Sequence, residues 1–322
     1  MSEQPQETDW LSVRNLGVAL AVIALVVTIV GTLQQHNGIF DVGQLFLDLW
    51  ANTAMELASI AITVLIIDNL IQRRETQREK ERLIRHMGST NNATALQAVE
   101  DLRVLGWLED GSLHSVNLAG ANLEGANLKG ADLQNAHLYQ TNLQGAVLEG
   151  TNLSWTDLCE AQMQGANLRA AKLMHTKLVG AKIRGANLAG AIVERATLRR
   201  ADLRETNLSL GSFQDVDLSI ADLREADLFN AQLQGANLNE ANLEEAIVTD
   251  HQLAQASMLL FATMPNGKRY DGRFDLIDDQ LLAEANGVER ENPTSLALWY
   301  GTVPEDGQAD RRDASTNIVQ AS

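Results

Sequence analysis

An apolar residue recurs at every fifth position between Leu113 and Val248, giving 28 consecutive pentads without an interruption. We call this central residue position i; position i−2 is mostly alanine, and position i−1 is often asparagine or aspartate. Leucine occupies position i in all pentads but five, which carry Met163, Ile183, Val193, Phe213 and Val248. A period of five fits neither the helix nor the strand repeat, since five residues turn a helix by about 500°. The pattern predicts a solenoid, in which each unit buries its apolar face by stacking on its neighbours.

The pentads also carry a family resemblance. Residues 120–134 read Gly-Ala-Asn-Leu-Glu, Gly-Ala-Asn-Leu-Lys and Gly-Ala-Asp-Leu-Gln. This A-[DN]-L-x-x run resembles the pentapeptide-repeat proteins across all 28 pentads. The resemblance implies a β solenoid, namely a right-handed quadrilateral β-helix of about seven coils with four pentads per coil and positions i and i−2 pointing inward. Residues 20 apart should then stack, and the first central column is Leu118, Leu138, Leu158, Leu178, Leu198, Leu218 and Leu238.

This register makes two packing predictions. Phe213 is the only aromatic residue at a central position, and its own i−2 residue is Gly211, which offsets the larger ring in a filled core. Four of the larger i−2 residues fall on a single face, which we expect to be slightly wider than the others: Val116, Thr156, Thr176 and Val216.

Two apolar stretches precede the repeats and predict a transmembrane helical hairpin. Leu16–Leu33 is a run of 18 uncharged residues, long enough to cross a bilayer core. A cleaved signal peptide is the alternative, but the positive leader and the small-residue cleavage site that it needs are missing. The second stretch runs from about Leu49 to Ile67, with Glu56 as its only charge. The hairpin would bind membrane lipid through both helices.

Each of these stretches has one face suited to helix contact, because small residues allow close approach and polar side chains bond across it. The first face carries Gly17, Ala21, Ala24, Thr28 and Gly31. The second carries Asn52, Glu56, Ser59 and Thr63. These faces would close the hairpin or a homo-oligomer, and a path for ions or protons through Glu56 is a further alternative.

The distribution of lysine and arginine predicts the orientation. Residues 34–48 contain neither, whereas residues 71–87 hold six against three acidic residues. We therefore expect a multi-pass protein of the inner cell membrane with its N-terminus and repeats in the cytoplasm. The arginines that share one side of the basic segment would touch anionic head groups, or the segment is a solvated connecting helix; they are Arg74, Arg78, Arg82 and Arg85.

The whole layout resembles a membrane-anchored bacterial subgroup of the same family, in which Gly106–Leu113 matches the entry to the repeats. That subgroup implies architecture and no assigned activity. The predicted parts are a cytoplasmic N-tail (1–15), the hairpin (16–71), a basic linker helix (72–92), an N-terminal capping helix (93–112), the β-helix (113–253), a C-terminal cap and extension (254–301) and a disordered tail (302–322). The apolar residues of the capping helix are Leu96, Val99, Leu102, Val104 and Leu105.

The sequence offers no pattern typical of catalysis, cofactor binding or metal binding. There is no phosphate-binding loop and no nucleophile elbow, and Cys159 is the single cysteine. The histidines of the repeat region are best interpreted as solvated surface residues: His114, His137, His175 and His251. The net charge of −17 argues against nucleic acid as a partner. We therefore expect neither an enzyme nor a cofactor.

Outward columns suggest where a partner would bind. Arg184, Arg204 and Arg224 stack between aspartates and glutamates, which predicts a neutralised charge ladder. Residues 169–204 hold nine Lys/Arg against two acids, whereas residues 205–250 hold one against ten. The candidate partner patch joins one outward column, Tyr139, Cys159 and Val179, to the adjacent corner, where Trp155 lies above His175. Incidental surface is the alternative interpretation of this patch.

These features favour a non-enzymatic, membrane-tethered scaffold or adaptor that binds a protein partner of unknown identity through a rigid β-helix. Some relatives mimic DNA and inhibit topoisomerases, which makes a DNA-mimic inhibitor an alternative, although the basic band interrupts the acidic surface that mimicry needs. An oligomeric membrane pore or sensor, with the repeats as its regulator, is a second alternative.

Overall fold

A computed structural model describes residues 42–288 and the isolated positions Ala19, Val22, Ile23, Val26, Ser295, Trp299 and Tyr300, with side chains described from Met55 onward in the main segment. The chain divides into two compact units, Met1–Glu81 and Arg82–Ser322. Several predictions fall outside the described residues: the N-tail, the first apolar stretch with its small-residue face, the side chain of Asn52, and the tail from residue 302.

The first unit contains most of helix α1, which runs from Val42 to Met87 without a break between the second apolar stretch and the basic segment. Among the described residues, one helical stretch is long and apolar enough to cross a membrane, Met55–Met87, with a mean hydropathy of 1.6 in its best window. Length and composition alone carry that finding, and soluble core helices and signal sequences meet the same criteria. Glu56, Ser59 and Thr63 are exposed, and the Thr63 hydroxyl donates to the Ser59 carbonyl at 2.8 Å.

The second unit is a four-sided β-helix. Parallel bridges join residues 20 apart, from Asn117 and His137 to Asp227 and Ile247, so that each lap takes four pentads as predicted. We number the faces by their central columns. Face 1 begins at Leu118, face 2 at Leu123, face 3 at Leu128 and face 4 at Leu113, so that faces 1 and 3 are opposite. Positions i+1 and i+2 form the corner that leads to the next face.

The pentad sequence follows from this geometry. Central leucines such as Leu188 and i−2 alanines such as Ala186 are 1% exposed, so the inward positions form one continuous core. Position i+2 has a positive φ throughout, which explains why glycine is frequent there, as at Gly190 (φ 66°). Asparagine and aspartate at i−1 accept the otherwise unpaired N–H of position i+1, as Asn187 does from Ala189 at 3.0 Å. The side chain thus closes each turn.

The structure confirms one of the two packing predictions and gives another reason for the second. A Cβ added to Gly211 would lie 2.6 Å from a ring atom of Phe213, which confirms that the glycine makes room for the ring. The buried threonines have a different explanation from a wider face. The Thr156 hydroxyl donates to the Leu133 carbonyl at 3.1 Å, and threonines on the other faces make equivalent bonds 23 residues back. A hydrogen bond, rather than the width of one face, therefore accounts for threonine at i−2.

The N-terminal end of the core is covered by α2 (Asn92–Val104) together with the last turns of α1. Val99 and Leu102 are buried as an amphipathic helix predicts, whereas Val104 and Leu105 are 77% and 48% exposed. Leu83 and Met87, four residues apart on α1, complete the buried layer. The end of the predicted basic linker thus belongs to the cap. Charged residues alternate with apolar ones in this segment, so its sequence does not predict that it covers the core.

The C-terminal end departs from strict repetition after residue 248. A short helix, α3 (Asp250–Leu253), places Leu253 in the central column of face 4, and one inserted residue follows. Stacking then resumes with bridges 21 residues apart, Asn237 to Met258 and Asn242 to Thr263, so the pairing continues past residue 253. Beyond it lie a buried aromatic pair, Tyr270 against Tyr300 at 5.5 Å, and α4 (Ile277–Ala285).

Asp279 of α4 ties this cap to the last lap. Its carboxylate is fully buried and accepts the N–H groups of Leu259 and Leu260, the latter at 3.1 Å. Burial raises the pKa of this carboxyl to about 6, although both N–H bonds oppose the shift. The folded pKa thus exceeds the value near 3.9 of an unfolded aspartate. Its contribution to stability is therefore full below about pH 4 and is lost as the pH rises through about 6.

We expect acidification from pH 7 to pH 5 to increase the protection of the Leu259 and Leu260 amides against hydrogen exchange, after correction for intrinsic rates. The full difference between the folded and unfolded pKa values of Asp279 corresponds to roughly 2–3 kcal/mol in the free energy of unfolding. In Asp279→Asn, which keeps an acceptor oxygen but does not titrate, the protection should not vary with pH. Equal pH dependence in both proteins would contradict this assignment.

Candidate protein-docking surface

The corner between faces 4 and 1 presents the most exposed aromatic group of the predicted patch. Trp155 and His175 both occupy position i+2, with φ of 63° and 58°, one lap apart. Their rings stack with centroids 4.0 Å apart and planes inclined by 16°. The indole remains 56% exposed. The lap spacing thus produces the predicted stack and leaves one large aromatic face open to solvent.

The opposite edge of face 1 carries the second part of the patch. Tyr139, Cys159 and Val179 occupy position i+1 on successive laps, with Tyr139 40% exposed and the other two half-buried. The Tyr139 hydroxyl donates to a carboxylate oxygen of Glu160 at 3.2 Å. Desolvation and this carboxylate raise the pKa of Tyr139. Burial and the Asp157 carboxylate likewise raise the pKa of the Cys159 thiol, which is therefore neutral and contributes apolar surface.

Charged side chains lie between and beside these two edges. Lys177 is exposed at the centre of face 1, one lap from Asp157, to which its strand is bridged. Arg199 continues the column of Val179, and Arg200 follows it at the corner. No ion pair is formed by these three cations within the described part of the chain. Face 1 therefore combines aromatic edges with available positive charge.

The arginine ladder on face 2 is different, because its charges neutralise one another as predicted. Arg204 binds Asp202 at 2.7 Å and lies 3.5 Å from Asp222, which in turn binds Arg224 at 2.6 Å. Arg184 pairs with Glu205. Hydrogen bonds from Arg204 and Arg224 lower the pKa of Asp202 and Asp222, respectively. This ladder stabilises itself and has little charge left for a partner.

A second apolar group, which the single columns of the repeat do not predict, surrounds face 3. Leu210, Phe229 and Ile247 are 64%, 58% and 59% exposed. They occupy positions i+2, i+1 and i−1 on three successive laps, so no single column of residues 20 apart contains two of them. Comparing all outward positions of one face, rather than single columns, would have revealed the group.

Groups suited to metal chemistry are lacking in residues 55–288, where no cluster of three or more His, Cys, Asp or Glu could hold an ion. His114 pairs with Asp132 at 2.7 Å and is partly exposed. His175 is engaged in the ring stack with Trp155.

Residues 112–150, 151–190, 181–219 and 221–258 match the model of a family described as pentapeptide repeats, in eight copies. Similar solved structures include HetL, a pentapeptide repeat protein involved in heterocyst differentiation regulation from the cyanobacterium Nostoc, at 26% identity over 53% of this chain and 98% of HetL, with a TM-score of 0.30. Rfr23 from the cyanobacterium Cyanothece is 32% identical over 29% of this chain and 81% of its own, with a TM-score of 0.27. A trypsin-treated variant of QnrB1, a plasmid-mediated fluoroquinolone resistance protein, is 22% identical over 55% and 99%, with a TM-score of 0.36. No curated protein matches the chain.

Proposed function

The chain belongs to the pentapeptide-repeat family, and on that premise we propose that it is a non-enzymatic scaffold, tethered to the inner cell membrane, that binds a protein through face 1. The observation that carries the proposal is the Trp155–His175 stack. An L-residue in the left-handed conformation costs about 1–2 kcal/mol, and the indole regains little of that through burial because it is 56% exposed. The fold does not need this side chain, whereas tryptophan is a typical anchor of protein interfaces.

The shape and charge of face 1 suit a protein partner. Aromatic edges provide apolar area, and the exposed cations Lys177, Arg199 and Arg200 supply orientation toward acidic groups. The β-helix holds these groups on a backbone that is hydrogen-bonded from lap to lap, as between Glu160 N–H and Val179 carbonyl at 2.9 Å. A surface ordered in advance loses little entropy on binding.

Two features support the membrane tether. α1 exposes apolar side chains that water does not favour: Ile60, Ile62, Ile66 and Ile67 are 48–58% exposed. The segment that follows carries six Lys/Arg between residues 71 and 87, which favours a cytoplasmic position for the repeats. With the first apolar stretch as its partner helix, α1 would form the predicted hairpin.

Affinity purification of the full chain from solubilised membranes, with quantitative mass spectrometry, tests the docking surface. The variant combines Tyr139→Ser, Trp155→Gly and Val179→Ser, and glycine suits the left-handed backbone at position 155. The matched control, Val104→Ser with Leu105→Ser, removes two exposed apolar residues elsewhere. We expect recovery of the partner to fall at least tenfold in the triple variant alone. The same set of co-purified proteins in all three samples would remove face 1 as the docking surface.

The same preparation separates the scaffold from the DNA-mimic alternative. We expect the purified chain not to inhibit supercoiling by DNA gyrase, since the basic band at residues 169–204 interrupts its acidic surface. Clear inhibition would favour mimicry. Recovery of the full chain in the soluble fraction, with none in membranes, would contradict the tether.

A further inference from the structure

The apolar group around face 3 is a compact surface on three successive laps. The N–H of Leu210 donates to the Phe229 carbonyl at 3.0 Å, so these two residues are direct neighbours at the corner between faces 3 and 4. The N–H of Leu228 donates to the Ile247 carbonyl at 2.9 Å, which places Ile247 one lap further along face 3. Three large side chains thus expose more than half of their area within adjoining laps.

Nothing in the β-helix requires large apolar residues at these positions. The corner column that contains Leu210 carries Gly130, Gly150, Ala170 and Gly190 on earlier laps, and Leu210 has a φ of 60° that glycine adopts more easily. Ile247 stands where asparagine closes the turn on other laps, as Asn207 does by accepting the N–H of Ser209 at 3.0 Å. The chain therefore forgoes local stabilisation here and exposes apolar area, as an interface requires.

The surroundings of this group are negative. Asp227 lies on face 3 and is bridged to Ile247. Glu225, Glu244 and Glu245 occupy the corner that leads to face 3, and the described structure shows no ion pair for any of them. Arg224 is the one Lys/Arg between residues 205 and 250, and Asp222 binds it at 2.6 Å. The three glutamates thus line one edge of face 3, and Leu210 and Phe229 line the other. Asp227 and Ile247 lie between these edges.

We propose that Leu210, Phe229 and Ile247 form a second docking surface, which binds a cationic amphipathic segment of a partner protein. Its apolar side would cover the exposed trio, and its lysines or arginines would face Glu225, Asp227, Glu244 and Glu245. Faces 1 and 3 are opposite sides of the coil, so the exposed cations of face 1 and the carboxylates beside the trio on face 3 point in opposite directions. The scaffold therefore binds two partners of different chemistry at once, which goes beyond its proposed function at face 1.

Photo-crosslinking tests this surface on the full chain in nanodiscs of phosphatidylcholine. A benzoylphenylalanine replaces Phe229 or, as the control on face 1, Tyr139. The probe is a biotinylated peptide with leucine and lysine on opposite sides of a helix, and its charge-reversed form carries glutamate for lysine. We expect capture of the lysine peptide at position 229 to exceed that at position 139 at least tenfold, to weaken with added salt, and to vanish with the glutamate peptide.

A second variant replaces two residues of the trio with the residues found at the same positions on other laps. Leu210→Gly with Ile247→Asn should lower the crosslink yield at position 229 at least tenfold while leaving the melting temperature equal or higher, so loss of folding does not explain the result. Equal capture at both positions, or none at position 229, overturns the proposal. A crosslink between two copies of the chain, in place of one to the peptide, would also overturn it and identify self-association.

Discussion

Leu188→Ala is expected to lower the free energy of unfolding by about 2–5 kcal/mol, because a leucine that is 1% exposed leaves a cavity in a core that stacked laps cannot close. Leu210→Ala is the matched control within the same chain. It removes the same atoms from a side chain that is 64% exposed and should change stability by less than about 0.5 kcal/mol.

Thermal unfolding of the purified chain, followed by circular dichroism, measures the difference. For a domain of this size we expect a loss of roughly 5–15 °C for Leu188→Ala and almost none for Leu210→Ala. Equal effects of both substitutions would contradict the assignment of inward and outward positions.

Gly211→Ala should be the most damaging addition of a single methyl group in the repeats. The new Cβ would lie 2.6 Å from the Phe213 ring and 3.2 Å from the carbonyl oxygens of Ala191 and Leu208. Alanine is the usual residue at i−2 on this backbone, so the contacts with the two carbonyl oxygens are tolerated in other pentads. The Phe213 ring is therefore the obstacle. Overpacking of this kind costs about 1–3 kcal/mol, which corresponds to roughly 3–10 °C in melting temperature.

A double-mutant cycle isolates that obstacle. Phe213→Leu alone should destabilise the chain, because the ring fills space that leucine leaves empty. Gly211→Ala combined with Phe213→Leu restores the usual Ala-x-Leu pentad and should be more stable than either single variant. The coupling energy should therefore be about 1–3 kcal/mol in favour of the pair. Additive effects of the two substitutions would show that ring and glycine do not compensate each other.

The regular part of the molecule is predictable because one residue type repeats in one environment. Every central leucine meets the same neighbours, so the period identifies the buried column of leucines. The family resemblance adds the 20-residue lap and, with it, the stacking of Trp155 on His175. The same periodicity places the arginine ladder beside its carboxylates. Where the environment is constant, a pattern of residue types is sufficient.

The two caps of the β-helix are not predictable in this way, because each cap structure occurs only once in the chain. Leu83 and Met87 cap the core from the charged final segment of α1, and Val104 and Leu105 are exposed although they continue an apolar pattern. At the other end, α3 and one inserted residue shift the register from 20 to 21 without ending the stack. The resumed pairing is visible only in the three-dimensional structure.

The two proposed docking surfaces are predictable only in part. Tyr139, Cys159 and Val179 share one column, which period arithmetic finds, whereas Leu210, Phe229 and Ile247 meet across different positions of the pentad. Burial of Asp279 also depends on how α4 packs, which no local pattern in residues 277–285 encodes. A contact of this kind, which lies outside the repeat, needs three-dimensional information.

Both proposed surfaces rest on laps that advance by 20 residues, and Cys159 allows a direct measurement of that spacing. Val179→Cys adds a thiol one lap away in the same outward column, at a strand spacing of about 4.8 Å. Gln164→Cys, five residues from Cys159, adds one on the next face. A short bismaleimide should crosslink the first pair within the chain, in high yield, and leave the second largely unlinked. A high yield for residue 164 with none for residue 179 would contradict the four-sided coil and both surfaces built on it.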